Sequence, residues 1–307
     1  MRRPVDAPAS AAMVVICLFW GLQQVAIKAV ANDVSPILQA ALRSGVAAVL
    51  VWLFSRFVAQ DKWLSGVARG PGLVVGALFC VEFLLIAEGL RWTTASHMVM
   101  FLYTAPMFAA LGLHLRIPEE RLTRTQWMGI GLAFAGIVVT FFGPMNAGAS
   151  ASRGQLVGDL MGVCGGAAWG LTTVAIRVSR LSEAPAAQTL FYQLLGAFLV
   201  LLPLAAMTGQ LHFHGTALGW ASLGYQAIIV SFISYLVWFW MLTRYQAAQL
   251  GALSFMTPLF GVAMGALLLD EHLAPSFLAG AALVLTGLLV VNSHARLRRV
   301  GYRSSSA

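Results

Sequence analysis

One unit is written twice in this chain. Trp20-Gly21 followed by Val25-Ala26-Ile27-Lys28 returns 149 residues later as Trp169-Gly170 followed by Val174-Ala175-Ile176-Arg177. Pro36 and Gln39 return at the same offset as Pro185 and Gln188, while Pro106 and Glu119 return 152 residues on as Pro258 and Glu271. Both copies sit in long apolar stretches. A hydrophobic chain built from two copies of one unit is the signature of a carrier whose site lies between its halves.

The composition says where such a chain lives. Charged residues make up only 10% of its 307 residues and hydrophobic ones 59%, against roughly 25% charged in a soluble domain. It lacks the polar surface to face water, so most of it faces lipid. The net charge of +8 does not read as nucleic-acid binding, because the basic residues sit at span ends and in the C-terminal tail with no aromatic-interleaved basic patch. Cys17, Cys80 and Cys164 fall in apolar segments without a CxxC pair and read as free thiols. His212-Phe213-His214 is too sparse for a metal site, so neither metal nor cofactor is expected. The chain has no GxxxxGK[ST] phosphate loop and no HExxH pair, which argues against ATP hydrolysis and against an intramembrane enzyme.

A membrane span needs about 20 apolar residues. Ten stretches qualify: 12–31, 36–57, 72–90, 95–114, 126–143, 156–176, 186–206, 218–240, 248–268 and 275–293. The first continues past Trp20 and has a counterpart in mid-chain, so it reads as a span and not as a cleaved signal peptide. With the N-terminus in the cytoplasm, fifteen Lys and Arg residues fall on the cytoplasmic side. Only Lys28, Arg43, Arg91 and Arg153 fall on the far side or in its half of the membrane. That bias predicts a multi-pass protein of the cell (inner) membrane with both termini cytoplasmic. Five spans per copy is an odd number, so the second copy enters the membrane inverted. The expected fold is all-α, ten transmembrane helices as two inverted five-helix repeats. The repeats occupy 1–147 and 155–295, and a basic tail at 296–307 rests on anionic lipid.

These features resemble the EamA-type family of the drug/metabolite transporter superfamily. The resemblance is carried by Trp-Gly in spans 1 and 6, by Ala95-Ser96 through Pro106 to Glu119-Glu120, and by Ala247-Ala248 through Pro258 to Asp270-Glu271. It covers about 11–293 and implies a carrier, usually an exporter of metabolites, amino acids or drugs. Aromatic amino-acid exporters are among the members it is similar to. The first expectation is therefore export of small amphipathic solutes such as aromatic or hydrophobic amino acids. The runner-up is efflux of cationic drugs, which the glutamines of span 1, standing where small cation exporters carry a carboxylate, make the weaker reading.

Polar and aromatic residues at helical spacing mark a candidate cavity. Trp20, Gln23, Gln24 and Ile27 share one face of span 1, and Trp169, Thr172, Thr173 and Ile176 repeat it in span 6. Span 8 adds Tyr235 and Trp238, beside Ser231 and Ser234; span 4 adds His97, Phe101 and Tyr103; Phe83 and Phe255 complete the set. Bonding between helices is the plainer account of the same amides and hydroxyls. Trp92, Trp127, Trp220 and Trp240 lie near span ends and read as an interfacial belt. Pro106 and Pro258 are expected hinges. Glu82 and Arg43 both fall ~10–12 Å below the far face at ~1.5 Å per residue. They are expected either to pair with each other or to leave Glu82 free as a proton carrier. Gly162, Gly166 and Gly170 make a GxxxGxxxG face that fits a monomer core or a dimer. The remaining partners are a small-molecule solute and membrane lipid, with a monomer favoured.

Overall fold

In a computed structural model of the chain, residues 5–65, 69–118, 121–146, 153–245 and 247–304 are described; an isolated bridge joins Val34 and Phe213. Eight helical segments there are long and apolar enough to cross a membrane. Large apolar side chains such as Val49, Leu73, Leu199 and Leu267 point outward, as lipid contact requires. Trp92, Trp127, Trp220 and Trp240 are exposed near helix ends.

Local chemistry starts the helices. α1 (Ala7–Ala29) begins on Asp6, whose carboxylate accepts from the Ala9 N–H at 3.0 Å. α2 (Pro36–Leu53) begins on Ser35, whose hydroxyl accepts from Leu38, with Pro36 in the first turn. α2 ends in a π-helical turn, Phe54–Ala59, stopped by Gln60 at φ 51°. α3 (Arg69–Gly89) follows, and Thr94 caps α4 (Ala95–Leu102). Then come α5 (Ala105–Arg116), α6 (Arg124–Asn146), α7 (Arg153–Val178) and α8 (Ala186–Met207). α9 (Ala217–Gly224) runs through a π-helical stretch, Tyr225–Ser234, into α10 (Tyr235–Arg244). The chain ends in α11 (Ala247–Ser254), α12 (Met256–Leu268) and α13 (Pro275–Ser304). α6 and α13 hold the two expected spans outside the eight, and they pack along each other. α13 carries helix into the stretch expected as a tail. Glu119, Glu120 and the side chains of the tail arginines lie outside the described residues.

Both repeated prolines sit beside a break. Proline has no N–H, so Pro106 leaves the Leu102 carbonyl, and Pro258 the Ser254 carbonyl, without the bond from four residues on. Leu102 is the last residue of α4, and Ser254 the last of α11. Nearby carbonyls at each break are bound by side chains: Thr104 Oγ1 donates to the Phe101 carbonyl at 2.6 Å, and Ser254 Oγ to the Gly251 carbonyl at 2.8 Å.

The two copies grip each other reciprocally. A methyl on Gly21 of α1 would meet the Gly261 nitrogen at 2.8 Å and the Thr257 carbonyl at 3.0 Å. A methyl on Gly170 of α7 would meet the Ala109 nitrogen at 2.8 Å and the Ala105 carbonyl at 2.7 Å. Ala105 and Ala109 are the counterparts of Thr257 and Gly261 at the 152-residue offset. Each copy's Trp-Gly helix therefore packs on the other copy's broken helix. Gly166 lies on the α4–α5 break itself, 2.7 Å from Thr104 Oγ1 by the same construction, and Gly162 faces Phe101. The GxxxGxxxG face is thus used inside one chain. The main apolar core lies between α2, α3 and α8, around Ala41, Ala47, Phe79, Leu194, Ala197 and Leu201.

Candidate functional site

A cavity of about 1000 Å³ lies between these helices. Ten of the twelve expected binding residues line it: Trp20, Gln23, Gln24, Phe83, Tyr103, Trp169, Thr173, Tyr235, Trp238 and Phe255; so do Glu82 and Pro106. Trp20 anchors one wall. Its Nε1 donates to Ser234 Oγ at 2.8 Å, and the rings of Tyr235 and Trp238 meet it edge-on at 6.0 and 5.5 Å. The Ser234 hydroxyl is itself held by the Val230 carbonyl at 2.6 Å, at the end of the π-helical stretch. Tyr103, at the α4–α5 break, meets Trp169 edge-on at 5.3 Å and forms a second aromatic pair. Phe79 and Phe83, 4.6 Å apart, close the α3 side.

Polar groups gather at the inner end. Gln23, Gln24 and Glu82 are almost fully buried yet border the cavity. Among the described residues, Gln23 Nε2, Gln24 Oε1 and Glu82 Oε2 have no hydrogen-bond partner. The expected Arg43–Glu82 ion pair is not formed; no nitrogen–oxygen contact within 4.0 Å joins them. The Arg43 guanidinium lies instead over the ring of Phe83, 3.9 Å from its centroid. A desolvated cation on an aromatic face gains about 2 kcal/mol, which gives the guanidinium a resting place on α3 one residue from the carboxylate. Arg43 still has Glu82 and Tyr235 as electrostatic neighbours.

The cavity mouth is lined by Leu113, Arg121, Leu122, Gln126, Arg177 and Ser182, at the helix ends that also carry Arg116, Arg124 and Arg180. The opposite end is stitched together, and among the described residues none from that end lines the cavity. Lys28 Nζ donates to the Leu90 and Thr93 carbonyls. The Glu271 carboxylate accepts from the Ala95 and Ser96 N–H groups at 2.6 and 2.9 Å, capping α4 from the other copy. Thr216 Oγ1 donates to Asp33 at 2.7 Å, and Gln210 Nε2 to Glu88 at 2.8 Å.

His97 and Phe101 are placed elsewhere, and that part of the cavity expectation is corrected. His97 Nδ1 lies 2.9 Å from Asp159 Oδ2, its ring stacked on Phe277 at 4.2 Å. Phe101 packs on Phe141, 5.2 Å between centroids. Every residue of α4 is buried, so each face has neighbours, and spacing alone could not tell the cavity face from the others. Pro258 is buried in α12, off the cavity lining. The sequence reading also missed Asp159, which is buried and holds both Thr93 and His97. Phe79, Gln193, Arg121, Gln126, Arg177 and Ser182 line the cavity without having been foreseen. Of these, Gln193 was signalled by an amide inside an apolar span, and Phe79 by its one-turn spacing from Phe83.

The model of the EamA-like transporter family matches residues 8–142 and 156–293. A probable amino-acid metabolite efflux pump of Salmonella typhimurium is 28% identical over 293 residues, covering 92% of this chain and 94% of that one. A protein of the same description in Escherichia coli K12 is 27% identical, with 90% and 91% covered. A solved crystal structure superposes with a TM-score of 0.67 at 18% identity, over 95% of this chain and 98% of that one, which supports the fold.

Proposed function

Because the chain belongs to the EamA-like transporter family, we propose that it exports small amphipathic metabolites, foremost amino acids with aromatic or hydrophobic side chains, by alternating access through the central cavity. It is a multi-pass membrane transporter of small-molecule solutes and not an enzyme. In this reading ten spans form two inverted repeats, 1–147 and 155–295, with both termini in the cytoplasm of the inner membrane. The arginine-rich mouth then faces the cytoplasm, from which an exporter loads.

The observation that carries the proposal is the lining of the cavity. Two edge-on aromatic pairs, Trp20–Tyr235 and Tyr103–Trp169, stand beside the amides of Gln23, Gln24 and Gln193 and one carboxylate, Glu82. Apolar walls with a few fixed polar groups suit a solute with an apolar body and a polar head. The names of the two enterobacterial relatives point the same way.

The test is uptake of labelled phenylalanine and tryptophan by liposomes holding the purified protein, with and without an imposed proton gradient. Saturable uptake is expected. Folded protein that takes up neither would reject aromatic amino acids. Acceleration by the gradient that is lost in Glu82→Gln would assign coupling to Glu82, the carboxylate on the cavity wall; acceleration kept in that variant would remove Glu82 as the proton carrier.

A further inference from the structure

The inner end of the cavity joins three features that the aromatic walls do not explain: a buried carboxylate, two buried amides with unpartnered atoms, and a buried guanidinium just behind them. We infer that Glu82 selects the α-ammonium group of the solute, with Gln24 and Gln23 completing a head-group site, and that Arg43 is a fixed counter-charge restricting this site to net-neutral zwitterions. This rests on the proposal that the cavity is the transport site.

The chemistry runs from the orphaned atoms. An ionised carboxylate only accepts hydrogen bonds, and an amide oxygen accepts while an amide nitrogen donates. Among the described residues Gln24 Oε1, and Glu82 Oε2 in its ionised form, are acceptors without a partner, and Gln23 Nε2 is a donor without one. Glu82 is 5% exposed, Gln24 3% and Gln23 4%. Groups so buried are expensive to leave unpaired, and all three border the cavity. Two acceptors and one donor suit an ammonium group and an adjacent carboxylate. Tyr103 and Tyr235, one from each aromatic pair, line the same cavity as Glu82, so a solute whose head group rests on Glu82 has aromatic walls available for its side chain.

The balance of charge narrows the class further. Arg43 is 1% exposed and held against Phe83, where water cannot screen it. When a bound ammonium group holds Glu82 in its ionised form, that carboxylate and Arg43 together are neutral. A zwitterion adds no net charge to a low-dielectric site. A simple amine would leave one positive charge uncompensated, and a simple carboxylate one negative charge; either is costly there. A site holding only Glu82 would favour cations, and Arg43 removes that advantage.

The experiment needs no variant to be decisive. Binding to the purified full-length protein is measured by competition against labelled tryptophan and labelled leucine. The competitors are each amino acid, its amine lacking the carboxylate (tryptamine, isoamylamine) and its acid lacking the amine (indole-3-propionate, 4-methylpentanoate). The expected result is that each bound amino acid outcompetes both of its analogues by on the order of a hundredfold, as sites built to hydrogen-bond a group reject ligands that lack it. Glu82→Gln is expected to erase the preference over the deaminated acid. Equal binding of amino acid and deaminated acid overturns the role of Glu82, and tight binding of the amines overturns the role of Arg43. In both cases the transport proposal stands. Failure of tryptophan together with selective binding of leucine would reject only the aromatic preference and uphold the head-group site. Failure of every zwitterion would overturn both.

Discussion

Trp20 concentrates more of the cavity's geometry than any other side chain. It donates to Ser234 and meets two further rings edge-on. Each aromatic contact is worth about 0.5–1.5 kcal/mol beyond burial, and the hydrogen bond about 0.5–1.5 kcal/mol. Trp20→Ala is therefore expected to lower transport kcat/KM by about tenfold to a hundredfold with membrane levels maintained. Trp20→Phe, which keeps a ring but loses the donor, should lie between the two; quantitative uptake beside immunodetection checks this. Trp20 and Trp169 were legible because they recur at one offset, each followed by a glycine. The relation of Arg43 to Glu82 was only half legible. Sequence fixes position along a helix; it does not fix which way a long side chain turns, and Phe83 offers the guanidinium a resting surface.

At the scale of the helix, the glycine contacts and the proline breaks carry the account. A methyl on Gly21 would press on backbone atoms at 2.8 and 3.0 Å, and backbone in a packed helix pair does not yield cheaply. Gly21→Ala is expected to destabilise by about 1–3 kcal/mol, lowering the thermal midpoint in detergent by several degrees. Gly131 of α6 has nothing within 4 Å of such a methyl, so Gly131→Ala should leave the midpoint unchanged or raise it slightly. Pro106→Ala restores an N–H able to reach the Leu102 carbonyl and should straighten the α4–α5 break. The expected outcome is an unchanged or higher midpoint with turnover cut by about tenfold; unaltered turnover would remove the hinge role. The prolines were plain in the sequence. That Gly166 and Gly170 of the other copy fill the break was not, because small-residue spacing announces a close contact without naming its partner.

For the molecule as a whole, the defining asymmetry is a cavity reaching the arginine-rich side and a far end held shut by contacts between the copies. If shedding those contacts is part of the cycle, fixing one covalently stops transport. Cysteines replacing Asp33 and Thr216, whose side chains meet at 2.7 Å, should cross-link with a short bifunctional reagent, abolishing transport while substrate binding persists. Full transport in the cross-linked protein would show that this end need not open. The two-copy architecture was legible from paired motifs. Closure was not: Lys28 and Glu271 belong to the repeated motifs but their partners were not signalled, and Asp33, Gln210 and Thr216 repeat nothing and carry no apolar period.

The most direct test of the central claim, that this cavity is the path of an amino-acid exporter, is counterflow of labelled tryptophan in liposomes loaded with unlabelled tryptophan. Wild-type protein is measured beside Trp169→Ala and Tyr235→Ala, one change in each aromatic pair. The account predicts saturable counterflow in the wild type and its loss in both variants at equal protein content. Counterflow at wild-type rate in either variant, or none in folded wild-type protein, would contradict it.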